Sequence, residues 1–106
     1  MGDKPGDLGH LLENVVFTEL KRRNHSVAIG KLYTREIDFV ATDSSGVSYY
    51  QVATSVLSVG ALERELNLLQ SIPDNYPKYL LTLDEVGTGS HKGIEQINVI
   101  DWLLQG

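Results

Sequence analysis

The segment Glu36-Ile37-Asp38-Phe39-Val40 sets a carboxylate between two bulky apolar residues. In a strand, that arrangement is costly unless the carboxylate is paired, hydrated or bound to a cation. Residues two apart share a face of a strand. Glu36, Asp38 and Val40 are therefore expected on one face, and Ile37, Phe39 and Ala41 on the other. A later run of strand character, Val47 to Ser55, gives Tyr49, Gln51 and Ala53 a common face. For Asp38 two readings stand side by side: a carboxylate on the solvated face of a sheet, or an oxygen donor in a functional site. Glu13 and Glu19 are the other acids of interest. On a helical wheel Glu19 falls inside the apolar arc close to Leu8 and Leu12, and Glu13 falls at its edge between Phe17 and Leu20.

Other signals are weaker. Gly87-Thr-Gly-Ser-His-Lys-Gly93 has the composition of a phosphate loop without its G-x-x-x-x-G-K-[ST] spacing, and it reads as an ordinary loop. His10, His25 and His91 are scattered, and His10 with Glu13 makes only two ligands at i, i+3. The absence of cysteine excludes disulfides, thiolate metal sites and cysteine nucleophiles. Lys21-Arg22-Arg23 suits either a solvated helix end or a nucleic-acid contact.

These residues need elements to position them. Leu8, Leu11, Leu12, Val15, Val16 and Leu20 recur at helical spacing, which predicts a helix over 9–23 closed by three bases that complement its dipole. Val27 to Leu32, Glu36 to Thr42 and Val47 to Ser55 read as three antiparallel strands, the last two joined by the turn Asp43-Ser44-Ser45-Gly46. Leu62, Leu66 and Leu69 mark a helix near 59–71 that Pro73 stops, with Glu63, Arg64, Glu65 and Gln70 largely outside. Lys78 to Leu83 is a buried strand, Asp84 to Gly93 a loop, and Ile97 to Ile100 a further strand before a short terminal turn capped by Asp101. The order α-β-β-β-α-β-β-α predicts an α/β fold with a mixed sheet of four or five strands flanked by helices. Leu12, Val15, Val16, Ile37, Phe39, Val52, Leu62, Leu66, Leu69, Leu81 and Ile100 are the expected core.

Length bounds the chain to one domain over 8–106, with a flexible polar segment at 1–7. The net charge is −5, which argues against tight non-specific binding to duplex phosphates. The charge is uneven. Residues 1–58 hold six bases and seven acids, and residues 59–106 hold three bases and seven acids, so any polyanion contact belongs to the first half. No apolar run approaches the roughly 20 residues that span a bilayer, and a cytoplasmic location is expected.

Gly9-His-Leu-Leu-Glu13-Asn-Val-Val-Phe17-Thr-Glu-Leu20-Lys-Arg-Arg, Glu36-Ile-Asp38-Phe-Val and Tyr50-Gln51-Val-Ala53 together resemble the C-terminal domain of unknown function found in AAA-type ATPases of bacteria and archaea. That domain is similar in turn to the PD-(D/E)XK, or restriction-endonuclease-like, nuclease superfamily. The resemblance spans roughly residues 8–104. It implies a helical Glu, a strand Asp and a Glu or Gln on the next strand around Mg²⁺, with a lysine two residues further on. Carried over, these places hold Glu13, Asp38 and Gln51, with the carbonyl of Val52 as a fourth ligand and Ala53 where the lysine belongs. Asp38 and Gln51 are then expected on adjacent strands and one face, with Glu13 reaching toward them. Gln51 removes one negative charge from the metal shell, and Ala53 removes the cation that would stabilise the transition state. Lys31 or Arg35 could substitute, and with Lys21, Arg22 and Arg23 they form the candidate DNA contact. The resemblance implies a degenerate nuclease fold, accessory to the ATPase domain of a parent chain, that binds nucleic acid or a partner without strong catalysis. A Mg²⁺-dependent DNA endonuclease and a structural dimerisation or docking domain are the alternatives. No Walker A motif occurs, and the polar start at Met1-Gly2 fits a domain excised from that parent.

Overall fold

The structure is a computed structural model that describes residues 5–23, 25–32 and 35–105, with backbone alone at 5, 6, 30–32, 35 and 36. Helix α1 spans Pro5–Arg22. It begins earlier than the hydrophobic pattern predicts, because Pro5 is tolerated in a first turn whose N–H groups have no partner anyway, and Asp7 complements the dipole there. Pro5, Gly6 and Asp7 are thus helical. The rest of the segment expected to be flexible, Met1 to Lys4, lies outside the described residues.

Three strands follow, β1 (Ser26–Leu32), β2 (Arg35–Asp43) and β3 (Gly46–Val52), paired as an antiparallel meander. The β2–β3 turn is held by Asp43 Oδ1, which accepts from the Ser45 N–H at 2.8 Å and the Ser45 hydroxyl at 2.6 Å. Helix α2 (Ala61–Gln70) then crosses over to β4 (Lys78–Thr82), which pairs parallel to β3. β6 (Ile94–Asn98) extends the sheet parallel to β4, and α3 (Val99–Gln105) closes the chain. Between them β5 (Gly89–His91) forms a hairpin with β6 in the stretch expected to be loop. Its two-residue turn has φ of 54° at Lys92 and 86° at Gly93, the left-handed pair of a type I′ turn. Lysine in the first of those places hides the hairpin from sequence patterning, which looks for Asn or Asp there.

The result is a six-stranded mixed sheet, ordered β1-β2-β3-β4-β6-β5, with the α-β-β-β-α-β order expected and one strand more than expected. Helices α1 and α3 cover one face through Leu12, Val16, Leu20, Val99 and Trp102, packed on Ala41, Tyr50, Val52 and Leu81. Helix α2 covers the other through Leu66, Leu68 and Leu69, packed on Ile37, Val56, Leu80 and Ile94.

Three expectations are corrected, two of the core and one of a helix cap. Ile37 and Phe39 do not share a face: Ile37 packs on the α2 side and Phe39 with Ala41 on the α1 side. The cause is a bulge, since Ala28 pairs with Val40 and Gly30 with Ile37, so two residues of β2 oppose Ile29 alone. Ile100 is exposed, because it sits in helix α3 rather than in a strand. The terminal helix is capped by Asn98, not Asp101: Asn98 Oδ1 accepts from the N–H groups of Ile100 at 2.9 Å and Asp101 at 3.2 Å. Val15, Phe39 and Leu62 are half-buried, and the other expected core residues are buried.

Candidate functional site

The extra residue in β2 is Asp38 or its neighbour Phe39, so the bulge falls on the residue that sequence patterning singles out. The regular β2–β3 ladder ends at Phe39 opposite Tyr50, and the same register would set Asp38 opposite Gln51. There the side chains replace the ladder. The Asp38 N–H donates to Gln51 Oε1 at 3.0 Å, and the Val52 N–H donates to Asp38 Oδ2 at 2.8 Å. A carboxylate and a carboxamide thus act as surrogate carbonyls where the two backbones no longer pair directly. Bonds of this kind that involve a charged acceptor contribute about 1.5–3 kcal/mol each.

Asp38 and Gln51 are therefore brought together on adjacent strands, as expected. Gln51 is buried, and it lines an open cleft of about 340 Å³ with Arg64, Glu65, Asn67 and Leu68 of α2. Glu13 is placed differently. It lines a depression of about 260 Å³ on the α1 side with Asn14, Phe17, Val27, Ala28, Ile29 and Phe39, and its Oε1 lies 3.9 Å from His10 Nδ1. Val52 pairs with Leu81 and buries its side chain in the α1-side core. Ala53, which the resemblance would set in the lysine place, is half-buried against the α2-side core, and its N–H donates to the Leu81 carbonyl at 3.0 Å.

This donor set fits Mg²⁺ poorly. The cation takes oxygen ligands, several of them charged. Here Asp38 Oδ2 and Gln51 Oε1 each already accept a backbone N–H. Among the described residues, no three or more His, Asp or Glu side chains come together in a group that could hold a metal ion. A metal would have to compete with the hydrogen bonds that join β2 to β3.

The basic residues are also committed in part. Glu19 accepts from Arg22 at 2.8 and 2.6 Å and from Arg23 at 2.7 Å. Those bonds, Arg22 foremost, hold its carboxyl well below the usual range, at about 2. Arg23 in addition lies 4.4 Å from the centre of the Trp102 ring and donates to the Trp102 carbonyl at 2.7 Å, tying α1 to α3. Lys21 is exposed. The side chains of Lys31 and Arg35 lie outside the described ones.

Sequence reasoning missed two features. Glu65, expected on the outer face of its helix, is half-buried, and its Oε1 is buried with no hydrogen-bond partner among the described residues. Asp84, expected in a loop, is buried. Its Oδ1 accepts from the Ser55 hydroxyl at 2.7 Å and its Oδ2 from the Val56 N–H at 2.8 Å. The Asp84 carbonyl accepts from the Asn98 side chain at 3.1 Å, and its N–H donates to Thr82 Oγ1 at 3.1 Å. The one available signal was Asn98, a capping residue just before the apolar run Val99-Ile100.

No protein-family model matches the chain. A similar protein is an uncharacterized protein of Haemophilus influenzae (strain ATCC 51907 / DSM 11121 / KW20 / Rd), 42% identical over 105 residues. The match covers 99% of this chain and 26% of that protein, so the chain spans about a quarter of its relative's length. Among the described residues, no helix is long and apolar enough to cross a membrane.

Proposed function

We propose that this chain is a degenerate PD-(D/E)XK-like domain that works as a binding module beside a larger catalytic domain, such as a cytoplasmic AAA-type ATPase, without strong nuclease activity of its own. The observation that carries the reading is the pairing of Asp38 with Gln51 at the end of the β2–β3 ladder, with Ala53 two residues on. The place where a nuclease of this kind gathers its metal is occupied by hydrogen bonds between strands. The lysine charge that would stabilise a phosphodiester transition state is missing. The relative supports attachment to a larger protein, since three-quarters of it lies outside the matched region. Commitment of Arg22 and Arg23 to Glu19, together with the net charge of −5, favours a protein partner over a nucleic acid.

The test is cleavage and metal binding. Incubated with linear DNA and Mg²⁺ or Mn²⁺, the chain is expected to give no appreciable product. Gln51→Glu with Ala53→Lys, checked for folding by circular dichroism, is expected to raise Mn²⁺ affinity by about tenfold or more. Robust cleavage by the unmodified chain that EDTA stops and Asp38→Ala abolishes would overturn the proposal in favour of a live endonuclease.

A further inference from the structure

The two edges of the sheet are built differently. At one edge β5 is three residues long and ends in the Lys92–Gly93 turn. At the other, β1 runs for seven residues, Ser-Val-Ala-Ile-Gly-Lys-Leu, and pairs only with β2 among the described residues. A long edge strand presents a row of backbone donors and acceptors to any strand that can align with it. Soluble proteins block such edges with charge, proline, brevity or a bulge in the edge strand, and the extra residue of the β1–β2 bulge belongs to β2, not to β1. Ser26 to Gly30 carries no charge and no proline.

Apolar side chains stand open beside this edge. Ile29 is 64% exposed and Phe17, on the neighbouring helix, is 41% exposed. Both line the depression that also holds Val27 and Ala28. Phe17 meets Phe39 in a tilted ring contact with centres 6.0 Å apart, so an apolar strip continues from β1 onto α1.

We infer that β1 is a homodimerisation edge, pairing antiparallel with β1 of a second copy about a two-fold axis through Ala28. The commitment to a second copy rests on self-complementarity. A two-fold axis perpendicular to the sheet keeps faces matched, so a residue pairs with one of equal parity. Centred on Ala28, this register sets Val27 of each copy against Ile29 of the other, twice, on the face that carries Phe17. It sets Ser26 against Gly30. It also keeps the two Lys31 residues, the only charges of β1, at opposite ends of the pairing. Centred one residue later, on Ile29, the register sets Val27 against Lys31 instead and loses both Val–Ile pairs. The proposal is independent of the nuclease-like reading of Asp38.

The absence of cysteine makes the register directly testable. Ala28 and Ser26 are both exposed, so a cysteine at either is tolerated by the monomer. In the proposed dimer the two Ala28 positions face each other within disulfide reach, and the two Ser26 positions lie about 13 Å apart along the strands. Under mild oxidation Ala28→Cys is expected to cross-link at least about tenfold faster than Ser26→Cys. In sedimentation velocity from about 1 µM to about 1 mM the unmodified chain should pass from monomer to dimer. Ile29→Lys, at an exposed site, should weaken that association at least about tenfold with unchanged circular dichroism. A chain that stays monomeric throughout that range, or equal cross-linking rates for the two cysteine variants, would overturn the proposal.

Discussion

Two aspartates hold the chain as it leaves β3, one from each neighbouring strand. Asp38 reaches from β2 and takes the Val52 N–H; Asp84 reaches from beyond β4 and takes the Ser55 hydroxyl and the Val56 N–H. Asp84 is buried, and its backbone is fixed as well, by Thr82 Oγ1 on one side and the Asn98 amide on the other. Asp38 is half-buried beside Gln51, whose side chain opens on the α2 cleft. Both use carboxylate oxygens as substitutes for backbone carbonyls. The difference is the depth at which they do so. A buried carboxylate that loses its donors leaves those donors with no water to turn to, whereas the donors around a half-buried one can be rehydrated.

The largest expected effect follows at Asp84. Asp84→Ala removes both oxygens from a buried site and strands the Val56 N–H. A loss of about 3 kcal/mol is expected, a fall in Tm of about 10–20 °C for a domain of this size. Thermal melts followed by circular dichroism measure it. If Asp84→Ala melts no lower than Asp38→Ala, depth of burial is not what separates the two aspartates.

A smaller effect is expected at the β2–β3 site. Asp38→Ala should cost about 1–2 kcal/mol and Gln51→Ala about 1 kcal/mol in urea denaturation. The two bonds span the same gap in opposite directions, so the residues act as a unit. The double variant should therefore lose about 0.5–1 kcal/mol less than the sum of the single losses. Strict additivity would show that Asp38 and Gln51 hold their strands independently and would dissolve the site into two unrelated contacts.

The contrast also explains what the sequence made legible. Hydrophobic periodicity is a local signal, and it gave the order of helices and main strands, because Leu12, Val16 and Leu20, or Leu66 and Leu69, are spaced by the helix itself. Asp38 stood out because its neighbours Ile37 and Phe39 make a charge conspicuous. Asp84 did not, because Leu83-Asp84-Glu85 reads as the polar end of a strand. Its partners, Ser55, Val56 and Asn98, are far away in sequence and come together only when β3, β4 and β6 lie in parallel. The bulge was equally invisible. It sets Ile37 and Phe39 on opposite faces through the pairing of β2 with β1, and strand alternation assumes a regular ladder. The β5–β6 hairpin escaped because Lys92 adopts a left-handed conformation that patterning assigns to Asn or Asp.

A further carboxylate, Glu19, extends the comparison to one whose donors are themselves charged. Arg22 and Arg23 both donate to it, and Arg23 carries the link on to Trp102. Here the charged partners themselves are the donors, and Arg22 is 57% exposed, so water and salt screen much of the attraction. Glu19→Gln should cost less than about 1 kcal/mol at neutral pH. Its pH dependence is specific. The carboxyl titrates near 2 in the folded chain, below its ordinary value of 4.5, so its contribution is complete above about 4.5. As the pH falls toward about 2, protonation removes it. Urea melts of both proteins should thus differ at pH 7, differ less at pH 3 and least at pH 2. A gap between Glu19→Gln and the unmodified chain that stays constant from pH 7 to pH 2 would mean that Glu19 acts by packing alone. The arginine bonds would then contribute nothing to holding α1 against α3.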